Sequence, residues 1–214
     1  MRDLIIRDIR EEDLPALKSL IIEAFGKGWN LERFDQDGDF FAALMDVYLS
    51  IFLESSTYGS VAEVGGKTVG AILCSVRGEP EKFRQMLKGT APNTLTLLSG
   101  TQTERESTVE HLSVSFQTIG RLLEGRLETY DGGLEFIAVS QQAQGMKIGK
   151  KLWEQARAYC ASKGAKHIYL ISDSACNTGF YDHNGFLRVA AEEAVYNYAA
   201  GQKRSQVYVY EYRF

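Results

Sequence analysis

Three prolines, three cysteines and three histidines are few for 214 residues, and each shortage removes a class of protein. With so little proline, and with 44% hydrophobic and 24% charged residues, the chain lies far from collagen-like or disordered composition. Cys74, Cys160 and Cys176 are odd in number and have no metal-ligand spacing, which excludes a disulfide framework or zinc cluster and points to a reducing, cytoplasmic compartment. His111, His167 and His183 are scattered, so no metal is expected. Apolar runs such as Phe136-Ile137-Ala138-Val139 fall far short of the roughly 20 residues a membrane span needs, so no membrane partner is expected. The start, Met1-Arg2-Asp3-Leu4-Ile5-Ile6, lacks the apolar stretch and cleavage site of a signal peptide. Positive charge is also short: a net charge of −4 argues against a nucleic-acid partner.

What is present is an ordered succession of amphipathic segments. Leu4 to Arg7 reads as a strand, and Asp13-Leu14-Pro15 opens a helix with Leu14, Leu17, Ile21 and Phe25 on one face. Phe40, Phe41, Leu44, Val47, Tyr48, Ile51 and Phe52 mark a second helix. Strands over 60–63 and 67–76 flank Gly65-Gly66, the signature of a two-residue hairpin loop. Residues 77–131 are polar, with apolar positions such as Leu112, Phe116, Ile119 and Leu123 that predict one or two helices. A strand over 134–139, a helix over 148–162 stopped by Gly164, and a strand over 167–172 then form a parallel pair. Asp173 or Ser174 is expected to cap a short helix ending near Gly185. Strands over 186–190 and 207–212 are expected to close the chain as a hairpin joined by a long connection containing Gly201. Since strands lie on both sides of 77–131, the expectation is one α/β domain over 1–214. Its sheet is mixed and mostly antiparallel, flanked by helices, with a partly helical insertion at 77–131.

Two constellations carry chemistry. Gln144-Gly145-Met146-Lys147-Ile148-Gly149-Lys150-Lys151 lies between a strand and a helix, where unpaired N–H groups and the helix dipole suit phosphate. It is neither a Walker motif nor Gly-x-Gly-x-x-Gly. Further on, Asn177 and Tyr181 are four apart, so an amide and a phenol share a helix face ahead of Gly185-Phe186.

Over 134–186 the chain resembles the GNAT superfamily of acyl-CoA-dependent N-acyltransferases, and more loosely so in its opening elements and final hairpin. Gln144, Ile148 and Gly149 fit the family's [Gln/Arg]-x-x-Gly-x-[Gly/Ala] loop, while Lys147 stands where its first Gly would; that departure is tolerated if position 147 keeps ordinary helical φ/ψ. The resemblance implies a GNAT-like fold with acetyl-CoA as cosubstrate. Ile137, Val139, Gln144, Gly145, Lys147, Ile148, Gly149, Lys150 and Asn177 would then bind it. A backbone N–H near Val139 would polarise the thioester carbonyl and Tyr181 would protonate the departing thiolate. Glu135, on the same strand and expected to share the face of Ile137 and Val139, is the candidate base for a primary-amine acceptor. The acidic first part of the chain, with Asp35, Asp37 and Asp39, suggests a small cationic acceptor. A homodimer is a possible assembly. The competing reading is a non-catalytic GNAT-like CoA sensor or interaction module.

Overall fold

The computed structural model describes residues 4–88 and 94–214; residues 1–3, and 89–93 of the expected insertion, lie outside the described residues. Its seven strands are β1 (Leu4–Asp8), β2 (Tyr58–Val64), β3 (Lys67–Val76), β4 (Gly132–Val139), β5 (His167–Asp173), β6 (Leu187–Tyr198) and β7 (Gly201–Arg213), in the spatial order β1-β2-β3-β4-β5-β7-β6. Every neighbouring pair is antiparallel except β4 and β5. Helices α1 (Leu14–Phe25), α2 (Asp39–Glu54), α3 (Thr94–Ser99), α4 (Gln102–Leu123), α5 (Ile148–Ser162) and α6 (Thr178–His183) surround the sheet. Among the described residues no helix is long and apolar enough to cross a membrane.

The apolar faces read from the sequence become three cores. Leu17, Ile21, Leu44 and Leu49 of α1 and α2 pack with Leu73, Phe136 and Ala138 of the sheet. Leu152, Ala156 and Cys160 of α5 pack against Ile72, Ile168 and Leu170 on the opposite face. The inserted α4 supplies Leu122 and Leu123 to a third cluster with Tyr196, Val207 and Val209 of the last hairpin. Helix α4 of the insertion thus roofs the half of the sheet that α1 and α2 leave open. A capping box starts α4: Thr101 Oγ1 accepts from Glu104 N (3.2 Å) and Glu104 Oε2 accepts from Thr101 N (2.7 Å). Gly65 and Gly66 both take positive φ (59° and 77°), as the two-residue turn between β2 and β3 requires.

Two local expectations are corrected. The final hairpin has no long connection: β6 and β7 pair from Leu187↔Glu211 to Tyr198↔Gly201 around the two residues Ala199-Ala200. The first part of β7, residues 201–206, is polar, and its Arg204 is tied across to Glu193 at 2.7 Å, so it carries no hydrophobic alternation that would mark a strand. Asp173 caps a turn rather than α6, with Oδ1 accepting from Ala175 N (2.7 Å) and Cys176 N (3.2 Å); α6 begins after Asn177.

Candidate active site

The parallel pair is the opening of the site. β4 and β5 pair only at Gly132↔Ile168 and Gly133↔Tyr169, although β4 stays paired with β3 as far as Val139↔Gly70 and β5 with β7 as far as Asp173↔Val207. The base of this fork is pinned by Asp131, whose backbone N–H donates to His167 O (2.7 Å) and whose Oδ2 accepts from Lys166 N (2.8 Å) and His167 N (3.0 Å). Gly132 is required there, since a Cβ would come within 2.0 Å of Ser75 O. Beyond the base, the inner edge of β4 has no strand partner among the described residues, and an extended ligand with amide groups can pair with it as an added strand would.

One cavity of about 560 Å³ runs along that edge; Ile137, Val139, Gln144, Gly145, Gly149 and Asn177 all line it. Of the expected cofactor residues, Lys147, Ile148 and Lys150 do not line this cavity. The Ile148 side chain is a core residue, 1% exposed against Leu152 and Trp153, and Lys150 is exposed beside Glu154. Any part that Ile148 and Lys150 play in phosphate binding falls to their backbone N–H groups in the first turn of α5, or to the long reach of the Lys150 ammonium.

Lys147 overturns the condition set on it. It is left-handed, with φ 58° and ψ 22°, and precedes α5 as its N-cap without a side-chain cap bond. A lysine here takes a left-handed conformation that favours glycine, at a cost of about 1–2 kcal/mol. Gly149 is tight in another way: a Cβ would lie 3.2 Å from the Phe180 ring.

A second cavity, of about 300 Å³, lies between the sheet and the roof formed by α4. Its walls include Trp29, Tyr48, Phe52, Phe136, His111 and Phe116. The two cavities share Phe25, Ile137, Cys176 and Tyr181, so they meet beside the phenol. Burial pushes the Tyr181 pKa well up, with the Cys176 thiol and Asp173 adding to it and the Ser172 hydroxyl opposing, so the phenol keeps its proton at working pH. Burial likewise pushes the Cys176 thiol up to about 11, leaving it neutral rather than nucleophilic.

Glu135 stands on the wall of the second cavity, but not where simple alternation puts it. Leu73 pairs with Phe136 and Cys74 with Leu134, so Glu135 is the extra residue of a β-bulge. Ile137 and Val139 pack toward the α5 core, while the Glu135 carboxylate lies over Gly133 beside the Tyr169 ring. The expected common face is therefore corrected by the bulge. The Ser75 hydroxyl donates to Glu135 Oε1 at 2.6 Å. Desolvation raises the Glu135 pKa above its ordinary value, and the Ser75 hydrogen bond offsets this only in part. Glu135 and Tyr169 also line a third cavity, of about 320 Å³, which includes Ser75 and reaches the surface at Arg77.

Asp35, Asp37 and Asp39 line none of these cavities; Asp35 caps a turn by accepting from Asp37 N at 3.2 Å. The carboxylates on the second cavity are Glu135 and Asp173. Sequence reasoning also passed over His111, Trp29 and Tyr48, which meet there as an aromatic group: His111 lies 5.8 Å from the Trp29 ring and 6.1 Å from that of Tyr48. Among the described residues no group of three or more His, Cys, Asp or Glu side chains is placed to hold a metal ion.

Comparison with known proteins agrees with this architecture. The model of the "Acetyltransferase (GNAT) family" matches residues 102–186, which span α4, the fork, the α5 loop and Tyr181. No curated protein matches the sequence significantly. Among solved structures, a mutant agmatine N-acetyltransferase in its apo form superposes with a TM-score of 0.58 at 14% identity, covering 99% of this chain and 100% of that one. Polyamine N-acetyltransferase of Drosophila melanogaster gives 0.57 at 14% identity, with 99% and 100% covered. The ribosomal-protein-S18-alanine N-acetyltransferase of Escherichia coli gives 0.56 at 14%, with 99% and 94% covered. At such identities the likeness to the solved structures is one of fold. The family model thus covers the part of the chain that holds the fork and the α5 loop, and the solved structures share its fold.

Proposed function

We propose that the protein is an N-acetyltransferase that moves the acetyl group of acetyl-CoA to a primary amine by direct attack in a ternary complex. The observation that carries this reading is the fork: an unpaired strand edge leads from an anion-suited helix N-terminus to a phenol where two cavities meet. An acyl-CoA fits these residues. Gln144, Gly145 and the first-turn N–H groups of α5 would hold the phosphates, Ile137 and Val139 would offer backbone partners to the pantetheine amides, and Asn177 would border the arm.

When bound, acetyl-CoA supplies an activated acyl group on a thioester. Glu135 takes the proton of the incoming ammonium or amine, and its raised pKa brings it nearer to working pH, as a general base requires. The cavity shared by Glu135 and Ser75 gives that proton a way to the surface at Arg77. A backbone N–H near Val139 polarises the carbonyl while the amine nitrogen forms its bond to carbon. As the carbon–sulfur bond breaks, Tyr181 gives its proton to the thiolate and is reprotonated by the proton the nitrogen sheds on becoming an amide, so the products are an N-acetyl amine, free CoA thiol and, from an ammonium, the one proton held by Glu135.

The test is amine-dependent release of CoA thiol from acetyl-CoA, with the acetylated amine identified by mass spectrometry. Turnover with at least one primary amine is expected. Acetyl-CoA binding without release in the presence of any amine would leave the protein a CoA-binding module.

A further inference from the structure

Resting on the transferase reading, we infer that the acceptor is a primary amine carried on an apolar, preferentially aromatic, tail with no second positive charge. The reacting nitrogen must sit at the junction beside Tyr181, within the influence of Glu135, and the rest of the molecule must extend into the 300 Å³ cavity below α4. That cavity is built of rings already in contact. Trp29 stacks on Phe25 with centroids 4.6 Å apart and 9° between planes, and Tyr48 approaches Trp29 to the same 4.6 Å. Phe52 and Phe136, 5.2 Å apart, continue the wall. A preformed apolar slot with a few polar groups at one end is the common build of a site for an amphiphilic small molecule.

A polyamine meets the opposite conditions. Glu135 and Asp173 are the carboxylates on the wall, and Asp173 Oδ1 already accepts from two backbone N–H groups. At the α4 wall, burial together with Arg33 and Lys203 holds His111 down to about 4, so its imidazole is neutral, rests against Tyr196 and Tyr198, and offers no counter-charge. A second ammonium would be stripped of water beside those groups. The attraction of ring faces for a cation is smaller than the cost of taking an unpaired ammonium out of water. An aromatic or alkyl tail instead gains in proportion to the apolar area it buries there.

The experiment compares kcat/KM for 2-phenylethylamine and hexylamine with that for cadaverine and spermidine at saturating acetyl-CoA, reading CoA thiol and acetylated product. The apolar monoamines should exceed the polyamines by about tenfold or more, the scale on which a pocket discriminates by apolar contact. Phe116→Glu offers a second arm. Phe116 is 53% exposed at the cavity rim, so the fold tolerates the change, which should lower kcat/KM for 2-phenylethylamine and raise it for cadaverine. Equal or better turnover of spermidine or cadaverine by the parent would overturn the inference while leaving the transferase reading intact. Acetyl-CoA binding with no release by any of the four amines, or by any other primary amine, would overturn both.

Discussion

Two carboxylates, Asp13 at the β1–α1 corner and Glu135 at the fork, are both withdrawn from water, and their surroundings differ in a way that separates scaffold from chemistry. Asp13 is saturated. Arg7 donates to it twice, at 2.7 and 2.9 Å, Arg10 N donates at 2.9 Å and the Thr68 hydroxyl at 3.1 Å. Those partners overcome desolvation and hold its pKa below the ordinary value. Glu135 has a single contact of this kind among the described residues, the 2.6 Å bond from Ser75, and otherwise faces cavities; its pKa rises instead. A buried carboxylate whose hydrogen-bonding capacity is filled by the chain is doing structural work, whereas one left short of partners beside a cavity is available to a substrate.

The comparison breaks if the two sites respond alike. Asp13→Ala should have the largest effect, destabilising the fold by about 3 kcal/mol or more because Arg7 loses its buried partner, with the activity of the remaining folded protein unchanged. Denaturant unfolding and active-site-normalised turnover check both halves. The pH sign is fixed by the lowered pKa. The Asp13 contribution is fully present above the ordinary carboxylate value of 3.8 and is lost as pH falls through the lower folded value. Glu135→Gln should do the reverse: turnover falls by about 100-fold, the scale of a general base, while stability near neutral pH holds or rises. A raised folded pKa means that ionising Glu135 costs stability as pH climbs from its ordinary value of 4.5 through the raised one. A Gln variant that loses stability but keeps its turnover would make Glu135 a second Asp13.

Tyr181→Phe should lower turnover about tenfold or more with acetyl-CoA affinity unchanged, since the ring stays packed and only the proton donor is lost. The readout is kcat together with a calorimetric Kd; equal kcat would reduce the phenol to packing. The smallest effect expected is from Lys147→Gly, which should raise stability by about 0.5–1 kcal/mol by relieving the left-handed strain, less the chain entropy glycine adds to the unfolded state. A lower melting temperature would show that Lys147 is supported by interactions worth more than its strain.

How far each region could be read in the sequence follows from the physics that shapes it. The α5 segment was legible to its ends, because Leu152, Ala156 and Cys160 recur on one face and Gly164, at φ 81°, stops it. The 77–131 insertion was legible as helical, and Thr101 with Glu104 carried the capping-box spacing that fixes where α4 starts. Its role as the roof of a cavity was not, since that depends on contacts with β6 and β7 far along the chain. The bulge at Glu135 left no local mark either. It arises from the register between β3 and β4, and one extra residue suffices to turn a side chain out of the alternation a strand pattern assumes. The aromatic group of Trp29, Tyr48 and His111 is likewise assembled from three separate elements.

The central claim is that the fork and the turn before α5 form an acyl-CoA site, and a calorimetric titration of acetyl-CoA into the parent and into Gln144→Glu tests it most directly. Gln144 is exposed, has ordinary extended backbone and lines the 560 Å³ cavity, so the isosteric change adds a negative charge there without disturbing the fold. One acetyl-CoA is expected per parent chain, with affinity at least about tenfold weaker in the variant, a loss of about 1.4 kcal/mol, and the same melting temperature when no ligand is present. Absence of binding heat in the parent, or equal affinity in the two proteins, would contradict it.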